Sequence, residues 1–173
     1  MEHLFKVLDT NKNGYITLKD VHLGADNFEK EVKPAAHLMA AVRARNEECY
    51  ATIGVVPGKQ TTKEEFLKGV ATLAIAEKAR KEKGEETLLD KVNNAWYDAV
   101  DTNHDGYVRL DEWRSVLRAS NMEGAADEIF KALDKSKAGK IERKVLSDND
   151  FKFWFVLDDS DTQGMFGDKF EKN

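Results

Sequence analysis

The sequence predicts an all-α protein: four helix–loop–helix units, arranged as two pairs packed into a compact globule. Three observations carry that prediction. Two twelve-residue stretches, DTNKNGYITLKD (9–20) and DTNHDGYVRLDE (101–112), repeat one grammar of alternating oxygen-bearing side chains around a glycine. Apolar residues recur at helical spacing along most of the chain, which contains only 2 prolines. Two further stretches keep the outline of the same loop without its oxygens.

Taken in chain order, the short lead-in MEHLFKVL precedes the first loop. Pro34 can open a helix whose apolar face uses Leu38, Val42, Tyr50 and Ile53. Thr62 and Glu65 form a capping-box pattern ahead of Phe66, Leu67, Val70 and Leu73. The charged run EKARKEKGEE (77–86) divides the chain into residues 1–84 and 85–173, and it reads equally as a solvated helix end or a hinge. Leu88, Leu89, Val92, Trp96 and Val100 make the next stripe, which ends where loop 101–112 begins. Trp113, Val116 and Leu117 continue a helix beyond that loop, and Ile129, Phe130 and Leu133 close on another.

Composition narrows the function. The 173 residues are 41% hydrophobic, enough for an ordinary core, and 34% charged with a net charge of −5. A mixed, slightly acidic surface argues against a nucleic-acid partner. Cys49 is the only cysteine, so no internal disulfide can form. No secretory leader is visible, and the longest apolar-leaning run, GVATLAIA (69–76), is too short to span a bilayer. The expectation is a cytoplasmic monomer without stable membrane insertion.

The loops carry the chemistry. Calcium takes six to eight oxygen ligands at roughly 2.3–2.6 Å, and a helix–loop–helix hand supplies them from positions 1, 3, 5, 7, 9 and 12, with glycine at 6. In loop 101–112 these are Asp101, Asn103, Asp105, the Tyr107 carbonyl, Arg109 and Glu112, around Gly106. Arg109 has no side-chain oxygen, so water or backbone must serve there. Val108 is placed to pair with a partner loop. Loop 9–20 offers Asp9, Asn11, Asn13, the Tyr15 carbonyl, Thr17 and Asp20 around Gly14. It has two carboxylates, and Asp20 is one methylene shorter than Glu. A smaller, less charged shell weakens Ca²⁺ and makes Mg²⁺ more competitive, because Mg²⁺ prefers six ligands at about 2.0–2.1 Å.

Two other loops are expected to be empty. In DKSKAGKIERKV (134–145), Gly139 and Ile141 keep their places, but Ala138 and Val145 replace ligands; Asp134 follows Asp101 by 33 residues, a natural repeat for paired hands. GVVPGKQTTKEE (54–65) ends in Glu65 but has no ligand at positions 1, 3 or 5. Asp159, Asp161, Gln163 and Gly164 mimic a loop start, but Phe170 falls at position 12, so a polar turn is expected. The first hand should pair with the second and the third with the fourth.

With these loops, the chain resembles the invertebrate sarcoplasmic calcium-binding proteins of the EF-hand superfamily and their calexcitin and coelenterazine-binding relatives. The ending DFKFWFVLDD (150–159) with GMFGDKF (164–170) is similar to that family's aromatic last helix and returning tail. The resemblance implies two hand pairs packed face to face over an interior filled by Trp96, Trp113, Phe130, Phe153, Trp154 and Phe166. Calcium buffering with magnesium exchange is the expected function, favoured by the scatter of Met1, Met39, Met122 and Met165, which form no target groove. The alternatives are a calexcitin-type sensor and a binder of a small apolar ligand such as coelenterazine. No enzyme activity is expected. Photoprotein relatives use a histidine near the C-terminus, whereas His3, His22, His37 and His104 all precede residue 105.

Overall fold

Eight α-helices and four short strands alternate along residues 2–119 and 123–155, which a computed structural model describes apart from the side chains of His3 and Phe153. The helices are α1 (Glu2–Leu8), α2 (Leu18–Val32), α3 (Ala36–Ile53), α4 (Lys63–Glu82), α5 (Leu88–Val100), α6 (Leu110–Ala119), α7 (Ala126–Leu133) and α8 (Arg143–Phe155). The helix starts follow local chemistry. Thr62 N–H donates to Glu65 Oε2 at 2.9 Å and Glu65 N–H donates back to Thr62 Oγ1 at 3.3 Å, so the predicted capping box opens α4. Thr87 and Asp90 repeat that device at α5, at 3.1 and 2.9 Å.

The strands β1 (Tyr15–Ile16), β2 (Thr61–Thr62), β3 (Tyr107–Arg109) and β4 (Lys140–Glu142) join the loops in pairs. β1 runs antiparallel to β2 with Ile16 opposite Thr61; β3 runs antiparallel to β4 with Val108 opposite Ile141. In both ladders the residues facing each other occupy the eighth loop position. Burial explains the choice of side chains: Ile16, Val108 and Ile141 are fully buried. Thr61 is equally buried, and its hydroxyl is satisfied by donating to the Gly54 carbonyl at 2.9 Å.

The two hand pairs share their interior. One core cluster joins Phe28, Met39 and Val42 from the first pair to Trp113, Leu117, Phe130 and Leu146 from the second. The other joins Phe5, Phe66 and Val70 to Leu89, Val92 and Phe155. Trp96 packs against both clusters and meets Phe28 edge-on, with centroids 5.6 Å apart. Trp113 and Phe130 are buried as expected, and Trp154 is half-buried. Phe153, Phe166, the tail 164–170 and the Asp159 turn lie outside the described side chains and residues.

The charged run 77–86 is helical through Glu82, and its first residue is not solvated. Glu77 is fully buried, and its Oε2 accepts the Leu89 N–H at 3.0 Å, tying the end of α4 to the start of α5. Gly69 marks where α4 crosses the end of α3: a Cβ there would sit 2.3 Å from the Ile53 carbonyl oxygen. No helix among the described residues is long and apolar enough to cross a membrane.

Candidate metal centre

Loop 101–112 is organised by its own carboxylates. Asp101, at 1% exposure, accepts the Asp105 N–H on Oδ1 at 3.1 Å and the Gly106 N–H on Oδ2 at 2.9 Å. Asn103 Oδ1 accepts the same Asp105 N–H at 2.9 Å, and Asp105 Oδ1 accepts from Tyr107 N–H at 3.0 Å. Positions 1, 3 and 5 thus turn their oxygens toward the concave side of the loop, where successive N–H groups converge. The bend requires Gly106 at φ +82°, a conformation that L side chains rarely adopt. His104, at φ +58°, faces solvent and stands apart from the donor set.

The other two carboxyl groups have protein partners. Glu112 is buried; its Oε2 accepts the Arg109 N–H at 2.9 Å, and its Oε1 accepts from Thr102 N–H and Oγ1 at 2.9 and 3.0 Å. Asp105 Oδ2 is gripped by Arg109 through Nε at 2.8 Å and through a second, shorter contact from Nη2. Burial opposes it, yet Arg109 and the Tyr107 N–H hold the Asp105 carboxyl below its ordinary range. Glu112 is therefore tied to Thr102, and Asp105 to Arg109. Among the described residues, no three acidic, histidine or cysteine side chains converge at metal-ligand spacing.

Loop 9–20 repeats the frame with different trim. Asp9 accepts the Asn13 and Gly14 N–H groups at 2.9 and 3.0 Å, and Asn13 Oδ1 accepts from Tyr15 N–H at 2.9 Å. Gly14 makes the same bend at φ +81°. Asp20 Oδ2 accepts from Thr17 N–H and Oγ1 at 2.9 and 2.5 Å, while its Oδ1 accepts the Asn11 amide at 3.2 Å. The short closing carboxylate therefore already meets the residue at position 3 across the loop.

The remaining loops are held by protein groups alone. Asp134 accepts from Ser136 Oγ, Ala138 N–H and Gly139 N–H at 2.9, 3.0 and 2.7 Å. Burial opposes the shift, but these donors keep its carboxyl below the usual range. In loop 54–65, Glu65 is committed to Thr62 and to Lys59 at 3.2 Å.

Two contacts were not foreseen. Thr102 holds the closing glutamate, and Arg143 at the start of α8 reaches Asp98 at 2.6 Å and Asp101 at 3.1 Å. The β3–β4 pairing and the packing of α8 on α5 bring Arg143 there. Cys49 is a buried core residue whose thiol burial pushes up to about 12.

Two oxygen-only loops in paired helix–loop–helix hands define a calcium-binding protein, with Mg²⁺ as the alternative occupant; both are hard cations suited to such donors. An EF hand profile matches residues 1–20 and 96–117, which supports placing these hands in the EF-hand superfamily. It is 29% identical to obelin of Obelia geniculata over 172 residues, covering 95% of this chain and 86% of that protein. It is 29% identical to the luciferin-binding protein of Renilla reniformis over 159 residues, covering 88% and 84%. Calcium-loaded apo-aequorin from Aequorea victoria shares the fold, with a TM-score of 0.81, 24% identity and coverage of 91% and 89%. Mg²⁺-loaded apo-berovin, a ctenophore photoprotein whose three Ca²⁺-binding loops all bind magnesium, gives 0.79, 27%, 88% and 84%. These relatives belong with the apolar-ligand alternative more than with the expected buffer.

Proposed function

We propose that this chain is a calcium-responsive binding protein that takes its cation at loops 9–20 and 101–112 and a small apolar aromatic molecule of the luciferin class in its interior. One observation supports this reading: the likeness to obelin and to the Renilla luciferin-binding protein covers 95% and 88% of this chain, well beyond the two loops. The metal ligands are Asp101, Asn103, Asp105, Tyr107 and Glu112 in the later loop and Asp9, Asn11, Asn13, Tyr15 and Asp20 in the earlier one. A bound cation would supply positive charge to these oxygens; Glu112, which accepts from Thr102, is the neighbour of the buried Trp113 on α6, so the closing ligand and the interior share one helix.

The interior offers suitable groups. Trp96 lies between the two core clusters, and the Trp113 indole N–H is buried with no acceptor among the described residues. A buried, unmatched donor amid aromatic rings suits a ligand with one polar edge. We assign binding and not turnover to this chain. The test is titration with coelenterazine, followed by quenching of tryptophan fluorescence, with calcium present and with chelator. Saturable micromolar quenching that differs between the two conditions supports the reading. Unsaturable quenching in both conditions contradicts the ligand half while leaving cation binding to its own test.

Plain buffering is a second reading, and a specific feature favours it. Trp113, Phe28, Phe66, Met39, Leu117 and Leu146 are all buried, and the cleft beside Phe28, Val32 and Glu112 measures only about 120 Å³. That volume suits a few waters, whereas drug-sized ligands use roughly 300–1,000 Å³.

A further inference from the structure

We propose that Arg143, which belongs to the ligand-poor fourth loop, is an internal counter-ion that sets the cation affinity of loop 101–112. The inference rests on the assignment of that loop as a cation site. Arg143 is the tenth residue of loop 134–145, and antiparallel pairing of β3 with β4 brings it beside the start of the neighbouring loop. Its Nη1 donates to Asp98 Oδ1 at 2.6 Å and its Nη2 donates to Asp101 Oδ2 at 3.1 Å. The Asp101 side chain is 1% exposed, so this contact is shielded from solvent, whereas Asp98 is 52% exposed. The Arg143 Nε is buried with no acceptor among the described residues, so the guanidinium is held by these two carboxylates and not by a full hydrogen-bond set.

Two effects of opposite sign are available. A donor behind a ligand can orient it and strengthen metal binding. A fixed positive charge on a ligand carboxylate can instead reduce the attraction it offers a dication. Orientation is already supplied by two backbone donors, Asp105 N–H on Oδ1 and Gly106 N–H on Oδ2. Arg143 therefore adds charge more than geometry, and the electrostatic penalty wins. Of the three carboxylates at ligand positions in loop 101–112, Asp101 faces Arg143 and Asp105 faces Arg109. Of these three, only Glu112 is held by neutral donors alone. The fourth hand keeps its fold and tunes its partner through one side chain.

The experiment is calorimetric Ca²⁺ titration of the full chain carrying Arg143→Gln, Arg143→Lys or Asp98→Asn, each with and without Glu112→Gln to mark the site. Arg143→Gln is expected to tighten binding at the marked site about tenfold, as removal of one nearby charge allows. The same variant should lower the melting temperature of the metal-free protein, because buried Asp101 loses its only cationic partner among the described residues. Arg143→Lys keeps the charge and should stay within about twofold of wild type. Asp98→Asn, at an exposed position safe for the fold, removes the acceptor that shares the guanidinium and should weaken binding severalfold. Unchanged or weaker binding in Arg143→Gln overturns the proposal, as does equal tightening by Arg143→Lys. If Arg143→Gln does not fold, unchanged or tighter binding in Asp98→Asn overturns it instead. If Glu112→Gln removes no binding event from the wild-type chain, the cation-site assignment itself fails and the inference falls with it.

Discussion

Loops 9–20 and 101–112 share a frame and differ in how they close. Both start with an aspartate that accepts the N–H groups of positions 5 and 6, and both bend at a glycine with φ near +81°. At the far end, Asp20 reaches Asn11 across the first loop, while Glu112 turns to Thr102 at the entry of the third. Asp101 and Glu112 are buried, whereas Asp9 and Asp20 are half-buried. The comparison teaches that carboxylate count alone misjudges a hand. The later loop places three carboxylates at ligand positions, but Arg109 and Arg143 offset two of them. In the earlier loop, the hydrogen bonds to Asp9 and Asp20 come from backbone N–H groups, an amide and a hydroxyl. We therefore expect reach, more than charge, to limit its preference for Ca²⁺.

The contrast can be broken most forcefully at the closing glutamate. Glu112→Gln should weaken Ca²⁺ binding at the later loop about a hundredfold and leave the earlier loop unaffected, since it removes the only potentially bidentate ligand. Titration with a fluorescent chelator in competition measures this, and equal loss at both loops would merge what the comparison separates.

A second test concerns the half that carries the later loop. Asp150 on α8 is fully buried and accepts the Tyr97 hydroxyl at 3.1 Å; burial raises its carboxyl to about 7, although the Tyr97 bond favours the ionised form. The unfolded chain ionises near pH 3.9. Between that value and about 7 the folded state keeps a proton that the unfolded state loses, so this group's contribution to stability falls as pH rises through the window. Asp150→Asn should therefore stabilise the metal-free protein at pH 8 by on the order of 2 kcal/mol and change it little at pH 4. Melting curves at both values decide it. A pH-independent difference would mean that Asp150 is ionised throughout.

Reach is tested at the first loop. Asp20→Glu should strengthen Ca²⁺ binding there about tenfold and reduce competition by Mg²⁺, because the longer side chain can chelate with both oxygens. Charge is tested by the smallest change: Arg109→Gln should tighten the later loop by about threefold, since the pair it breaks is largely exposed. If Asp20→Glu has no effect while Arg109→Gln has a large one, charge and not reach separates the loops.

Local signals were legible in the sequence wherever the physics is local. The capping box at Thr62–Glu65, the stripe of α5 and the glycine bends all follow from neighbours within a few positions, and the Val108–Ile141 pair follows from the 33-residue repeat of the loop. What escaped depends on distant partners. Glu77 sits at the head of a charged run, and its burial is offset by the Leu89 N–H from the next helix and by Arg80 3.7 Å away. Tyr97 finds Asp150 53 residues away, and Arg143 finds Asp101 at a separation of 42. Arg109 could be excluded as an oxygen donor from its chemistry, but its grip on Asp105 required the folded loop. The function carried the same limit: the loops specify a hard cation, whereas the interior is assembled from side chains far apart in the sequence.

The most direct measurement is isothermal titration of the metal-free chain with Ca²⁺, run with and without millimolar Mg²⁺. Two binding events per chain are predicted, a stronger one lost in Glu112→Gln and a weaker one displaced by Mg²⁺. No binding heat, or events that survive substitution of Glu112 and Asp20 alike, would contradict the assignment of loops 9–20 and 101–112 as the cation sites.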